Sequence, residues 1–287
     1  MTLKIAVPGK GRLNERAVEL LLKSGLDLGE EWGRKLYVSV KNQDIEVMFV
    51  RAQDIPGFVA GGAIDIGITG IDQIAESGED VERLLDLDFG HCSLSVATPE
   101  SSDIKNVDDI KNGFRVATPY PNLTKKFFDL KNKKVNIVNV SGAAEIMPYM
   151  GTSDIIVDLV ASGSTLKTNR LVSIADILVS QAVVLGNIDA VKSKKEVILG
   201  IVSSIRSVIE AENKKYLMAV IPKEKLQDVQ KMFPGVAGPT VMNIAGRDDM
   251  VAMHVVIEKK DVYDSVNTLK KIGAKGILTI PIDRLVP

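Results

Sequence analysis

From Leu3 to Asn169 the chain repeats one local pattern: a short apolar run, a small or polar punctuation, then an amphipathic stretch. The run from Leu3 to Val7 closes on Pro8-Gly9, and Ala17, Val18, Leu20, Leu21 and Leu22 then recur at helical spacing before Gly25. Strand signal followed by helix signal, again and again, is the signature of a largely parallel sheet with helices on its faces. Residues 37–40 and 45–50 read as a hairpin, 54–60 as a helix, 64–68 as a strand and 71–77 as a helix. The rhythm restarts near residue 93. Strands are predicted over 94–98, 114–118, 135–140 and 154–157, and helices over 107–111, 123–130, 143–150 and 165–169. Residues 171–185 form one long apolar stretch, and 197–212 read as a strong helix. If that helix packs back on the first lobe, lobe I comprises 1–91 with 178–212 and lobe II comprises 92–177. The remainder, 213–287, reads β-α-β-β-α-β, with a turn over 246–249 and Asp261 and Gly273 bounding the second helix. That order is the ferredoxin-like unit.

Composition narrows the function. The 36 Lys and Arg against 37 Asp and Glu give a net charge of −1, which argues against nucleic-acid binding driven by bulk charge. Aromatics at 5% leave little for base stacking. Cys92 is the sole cysteine, so no internal disulfide forms, and a reducing, cytoplasmic setting is expected. The apolar run at the N-terminus is too short for a signal peptide. Asp176 and Asp189 interrupt the most apolar region, so no membrane span is expected. The two histidines, His91 and His254, lie far apart and match no metal-site spacing.

Two loops could hold anions. After the apolar run 155–157 come Asp158, Leu159, Val160, Ala161, Ser162, Gly163, Ser164 and Thr165, with a helix starting near Thr165. Small residues let backbone N–H groups approach a phosphate, and three hydroxyls surround the same point. The same residues also read as an ordinary strand-to-helix turn. The second loop is Pro8-Gly9-Lys10-Gly11-Arg12, at the C-terminal end of the first strand, where open α/β sheets place ligands. Its charges suit a polyphosphate, although taken alone the loop reads more readily as a solvated basic turn. Arg51, Asp72, Tyr120-Pro121-Asn122 and Glu145 also follow predicted strand ends. Singly they read as structural, Asn122 as an N-cap and Glu145 as a first-turn charge. Facing lobes would bring them to one cleft.

These residues together resemble the ATP phosphoribosyltransferase family, in its long form. The carriers are Glu145, the run from Gly151 to Asp158 and Ser162-Gly163-Ser164-Thr165-Leu166, supported by Pro8 to Leu13, Phe49 to Ile55, Asp65 to Asp72 and Ala117 to Leu123. Tyr216-Leu217-Met218, Gly238-Pro239-Thr240 and the run from Ile272 to Leu278 resemble its C-terminal domain. One departure is Ala52, where the family often has Pro. The resemblance implies a two-lobed, periplasmic-binding-protein-like catalytic core with a C-terminal ferredoxin-like regulatory domain. It implies transfer of the phosphoribosyl group of phosphoribosyl pyrophosphate to N1 of ATP, with Mg2+ accompanying the polyphosphates. Histidine and AMP would inhibit, and the chain would form homo-oligomers, an active dimer and an inhibited hexamer. Lys10, Arg12, Arg51, Glu145 and Asp158 would act in catalysis. Gly11, Leu13, Asp72, Tyr120, Asn122 and residues 159–165 would bind substrate. Pro239, Thr240, Gly273 and Ala274 would lie near regulatory histidine. A cytoplasmic sensor on the same two-lobed scaffold, or a stand-alone regulatory subunit, are the rival readings.

Overall fold

A computed structural model of the protein describes residues 2–29, 35–233 and 238–286. The chain divides into two compact units, Met1–Leu22 with Leu26–Val202, and Lys23–Gly25 with Ser203–Pro287.

The first unit contains two mixed sheets. In one, β1 (Leu3–Pro8) lies between parallel neighbours β3 (Ile45–Val50) and β4 (Ile66–Gly70), and β2 (Tyr37–Ser39) pairs antiparallel with β3 as the predicted hairpin. Helices α1 (Arg12–Lys23), α2 (Ile55–Ala60) and α3 (Ile71–Ser77) follow β1, β3 and β4. The predicted rhythm omits β5 (Glu82–Asp86), whose charged ends and exposed edge position hide its strand character. The sheet order is β2-β3-β1-β4-β11-β5, where β11 (Ala182–Gly186) arrives from beyond the second sheet.

The second sheet is β10-β6-β9-β7-β8, from β6 (Cys92–Pro99), β7 (Arg115–Thr118), β8 (Asn136–Asn139), β9 (Ile155–Val160) and β10 (Leu171–Ser180). Both faces of the first half of β9, Ile155 to Val157, are covered, so those residues read as an unbroken apolar run. Ile155 and Val157 pack with Leu94, Val116 and Phe128 of α4 (Pro121–Leu130). Ile156 packs on the other face with Ala144 and with Leu166 of α5 (Ser164–Thr168). Arg115 donates to Asp154 at 2.8 Å at the base of β7 and β9, and that hydrogen bond holds the Asp154 carboxyl below the usual carboxylate range. The chain crosses between the sheets twice, at 87–91 and at Gln181. The crossings lie side by side, with Ala182 N–H donating to Phe89 O at 2.9 Å and Leu87 N–H to Ala182 O at 3.0 Å.

Several expected elements differ. The apolar stretch 171–185 is two strands, split where the chain changes sheet. Residues 143–150 make only a 3-10 turn, Ala144–Ile146, because Pro148 lacks an N–H and its ring opposes the carbonyl of Ala144. Residues 107–111 likewise form a 3-10 turn, Val107–Asp109, closed by a reciprocal capping box between Asn106 and Asp109. After β11 comes a further short helix, α6 (Ile188–Ser193), capped by the Asn187 side chain. The helix expected over 197–212 is α7 (Lys195–Glu212).

The second unit is the ferredoxin-like one. Its strands are β12 (Lys214–Pro222), β13 (Thr240–Ile244), β14 (Arg247–Glu258) and β15 (Lys275–Pro281), in the all-antiparallel order β13-β14-β12-β15. Helices α8 (Leu226–Met232) and α9 (Val262–Lys271) cover one face, where Leu217, Ala219, Ile221, Val251, Met253 and Val255 alternate inward against Val229 and Leu269. The turn predicted over 246–249 is narrower, since Arg247–Asp249 already belong to β14 and form an ion pair at 2.9 Å along it. No helix among the described residues is long and apolar enough to cross a membrane.

Candidate functional site

The basic loop stands where parallel strands end. Pro8 and Val50 are register partners at the ends of β1 and β3, and Gly9 N–H donates to Val50 O at 2.6 Å. Lys10 and Arg51 therefore leave neighbouring strands side by side. Gly11, at φ +83°, turns the chain into α1, whose first residues are Arg12 and Leu13. Lys10, Arg12 and Arg51 are exposed, with no ion pair among the described residues.

Asp72 is the opposite case, a carboxylate only 4% exposed in the first turn of α3. Ser180 Oγ donates to its Oδ1 at 2.6 Å and accepts its backbone N–H at 3.0 Å. Gln73 Nε2 and Tyr120 Oη donate to its Oδ2 at 2.6 and 2.9 Å, and Gln73 also donates to Tyr120 Oη at 2.7 Å. This network joins the first lobe, the crossing strand β10 and the second lobe. Burial pushes the Tyr120 phenol up, reinforced by the Asp72 charge, the hydrogen bond to it and the Asp158 charge. The phenol is thus a neutral donor at any working pH. Tyr120 holds the N-cap position of α4, the place expected for Asn122, and makes no side-chain cap. Asn122 is instead the second helical residue.

The third element is the end of β9. The strand runs two residues past Asp158, paired through Ser93↔Val160, so Asp158 is a strand residue and not the start of the loop. Period-two alternation puts it on the Ile156 face, toward Glu145. Leu159 N–H donates to Asp158 Oδ1 at 2.7 Å. Burial raises the Asp158 carboxyl and the Glu145 charge adds to it, while the Leu159 bond opposes both. Glu145 follows Ala143, a non-glycine residue at φ +54°, in the 3-10 turn. Beyond Val160, Ala161, Ser162, Ser164 and Thr165 are exposed, and Ser162 Oγ lies 2.9 Å from Ser164 Oγ. Gly163, at φ +73°, opens α5 with no side-chain cap of its own, and Ser164 N–H donates to Ser162 Oγ at 3.4 Å.

A hollow of about 580 Å³ lies between the lobes, lined by Gln53, Gln73 and Glu76 on one side and Tyr120, Asn122 and Asn139 on the other. Of the predicted residues it gathers Tyr120 and Asn122. Asp72, Asp158 and Glu145 are linked to it through Tyr120's surroundings, whereas Lys10, Arg12, Arg51 and 161–165 are not among its walls. Gln73, Glu76 and Ser180 escape sequence reasoning. Gln73 adjoins Asp72 and Glu76 follows it at i+4, but the Ser180 contact spans 108 residues and has no local signal. Among the described residues no group of three or more His, Cys, Asp or Glu could hold a metal ion.

In the second unit Thr240, preceded by Pro239, pairs with His254 across β13 and β14, while Gly273 and Ala274 precede β15. β13 and β15 are opposite edges of the sheet, so one chain does not bring the two pairs together.

Two family models match the chain: ATP phosphoribosyltransferase over residues 51–207, and its C-terminal domain (HisG, C-terminal domain) over 211–284. The ATP phosphoribosyltransferase of Methanocaldococcus jannaschii is 44% identical over 99% of this chain and 100% of its own length. That of Methanopyrus kandleri is also 44% identical, over the same shares. A solved ATP phosphoribosyl transferase (HisG:HisZ) complex from Thermotoga maritima superposes with a TM-score of 0.66 at 29% identity, covering 73% of this chain and 99% of that one.

Proposed function

The chain belongs to the ATP phosphoribosyltransferase family, and we propose that it joins N1 of ATP to C1 of phosphoribosyl pyrophosphate, releasing pyrophosphate, as the committed step of histidine biosynthesis. One observation carries this beyond family membership: β9 holds a half-buried carboxyl at Asp158 and runs on through Val160 into an exposed, hydroxyl-rich turn that opens α5. A sugar phosphate needs both, an acceptor for ring hydroxyls and donors for a phosphate.

In this reading the C1–O bond to pyrophosphate breaks as the N1 lone pair forms the new bond, and positive charge develops on the ribose. Asp158 accepts hydrogen bonds from the ribose hydroxyls. The 162–165 turn holds the 5-phosphate, with Leu159, Val160 and Ala161 shaping its approach. Lys10, Arg12 and Arg51, beside Gly11 and Leu13, stabilise the departing pyrophosphate or the ATP phosphates. Asp72, Tyr120, Asn122 and Glu145 position the purine or the sugar. No covalent nucleophile is needed, since orienting two bound substrates lowers the barrier by itself. Without a three-ligand cluster among the described residues, Mg2+ would arrive on the polyphosphates. Histidine would bind the 213–287 domain near Pro239–Thr240 and Gly273–Ala274. Because these lie on opposite sheet edges, such a site would be completed between copies of a homo-oligomer. AMP would compete as a second inhibitor, and the enzyme would work in the cytoplasm.

The charge assignment predicts that Lys10→Ala and Arg51→Ala each raise KM for phosphoribosyl pyrophosphate about tenfold, the loss of one charge-assisted contact. The wild-type KM should itself rise with salt, and more steeply than the variants'. Equal salt slopes would remove both residues from the anion site.

The direct test mixes the protein with ATP, phosphoribosyl pyrophosphate, Mg2+ and a pyrophosphatase, and follows the N1-substituted adenine chromophore with and without histidine. Product suppressed by histidine is the expected result. A folded protein that binds phosphoribosyl pyrophosphate but makes no product would overturn the proposal in favour of a sensor.

A further inference from the structure

Helix α4 has no cap of its own. Tyr120, its N-cap residue, makes no side-chain capping bond, and Pro121 supplies no N–H. The next two backbone N–H groups, of Asn122 and Leu123, donate instead to the two carboxylate oxygens of Glu76, at 2.8 and 2.9 Å. Asn122 Nδ2 completes the contact by donating to the Glu76 backbone carbonyl at 3.0 Å. A helix normally finds its capping acceptor at the N-cap residue itself. Here the acceptor lies 46 residues away, on α3 of the other lobe. Its charge also complements the positive end of the α4 dipole.

Glu76 lies four residues after Asp72 and three after Gln73, so helical spacing sets it between them on one side of α3. Asp72 and Gln73 hold the Tyr120 hydroxyl; Glu76 holds the second and third residues after Tyr120. Thr118 Oγ1 accepts the Tyr120 N–H at 2.9 Å. One helix of the first lobe therefore fixes this tyrosine at its tip and, through the start of α4, at its backbone.

We propose that Glu76 is a positioning residue for the transfer reaction, which caps α4 across the cleft and so sets where Tyr120 stands between the lobes. It acts through Tyr120, and the inference rests on reading this cleft as the transfer site. The test compares wild type, Glu76→Ala, Glu76→Gln, Tyr120→Phe and the Glu76→Ala/Tyr120→Phe double variant, each assayed for product formation and for melting temperature. Glu76→Ala should lower kcat/KM about tenfold, with the loss in KM for one substrate, the one that meets Tyr120, and kcat nearly unchanged. Glu76→Gln keeps one acceptor oxygen and should recover to within about threefold of wild type. In the Tyr120→Phe background Glu76→Ala should add less than about twofold, because both act on one contact. If the alanine variant does not fold, Glu76→Met, which keeps the length of the side chain but supplies no carboxylate oxygen, takes its place alone and in the double with Tyr120→Phe. Wild-type product formation with unchanged kinetics in folded Glu76 variants, or losses that multiply with Tyr120→Phe, overturns this inference alone. Wild type that makes no product overturns the transfer reading first, and this with it.

Discussion

Asp158→Asn will slow product formation about 10- to 100-fold while leaving the melting temperature unchanged or higher. The loss follows from replacing an ionised acceptor of the ribose hydroxyls, about 1.5–3 kcal/mol of hydrogen bonding. The gain in stability follows from the sign of the perturbation. Burial and the Glu145 charge raise the Asp158 carboxyl above its ordinary value. A group raised in this way contributes stability that is fully present below its unfolded value and is lost as pH rises through its folded value. At neutral pH the ionised Asp158 is therefore a burden on the fold, and the amide removes it. The melting-temperature difference between variant and wild type should close as pH falls below the ordinary Asp value of about 4, where the acid is protonated in the folded and the unfolded chain alike. Wild-type activity should also fall on the acid side at a higher pH than an ordinary carboxylate would give. A variant that keeps wild-type turnover and substrate affinity would end the assigned role of Asp158. One that melts well below wild type at neutral pH would make the residue structural.

Asp158 is more legible in the sequence than its partners. A charged residue terminating a run as apolar as 155–157 breaks the pattern that the run itself establishes, and small residues after it add a second local cue. The strand still continues through it, because pairing with β6 persists to Ser93↔Val160 and no local signal reports that. The basic loop was legible for a similar reason, since turn residues and charge coincide at a strand end. The ferredoxin-like unit is the most legible part, as β12 and β14 alternate inward and outward over much of their length and Asp261 and Gly273 bound α9. The opposite limit is Ser180. It closes a strand as an unremarkable small polar residue, and only the return of the chain between the sheets sets it against Asp72. Glu76 looks like one more solvent-facing helix charge until α4 is seen to lack a cap. Contacts made across a cleft depend on how the lobes meet, and that geometry is not written in the periodicity of either lobe.

Gly70→Ala should cost more than any other single methyl group added near the site. The residue ends β4 at φ −82° and ψ 151°, a backbone conformation that alanine adopts freely, so nothing in its own torsions opposes the change. The obstacle is what lies beside it: a β-carbon there would stand 2.0 Å from Asp72 Oδ1. The carboxylate must then swing away, breaking the 2.6 Å bond from Ser180 and displacing the oxygen that accepts from Tyr120. A charge 4% exposed would be left without its donors. Leaving a buried charged group unsatisfied costs on the order of 3 kcal/mol or more, or about 6–12 °C in a unit of this size. Activity should fall at least tenfold, since Tyr120 loses the acceptor that orients its hydroxyl. The cause can be isolated with a double variant. Asp72→Ala removes both the clash and the charge, so adding Gly70→Ala to it should cost less than about 0.5 kcal/mol further. Stability losses that simply add would mean that the methyl group meets something other than Asp72, and the close approach of this glycine to the carboxylate would no longer account for its place at the end of β4.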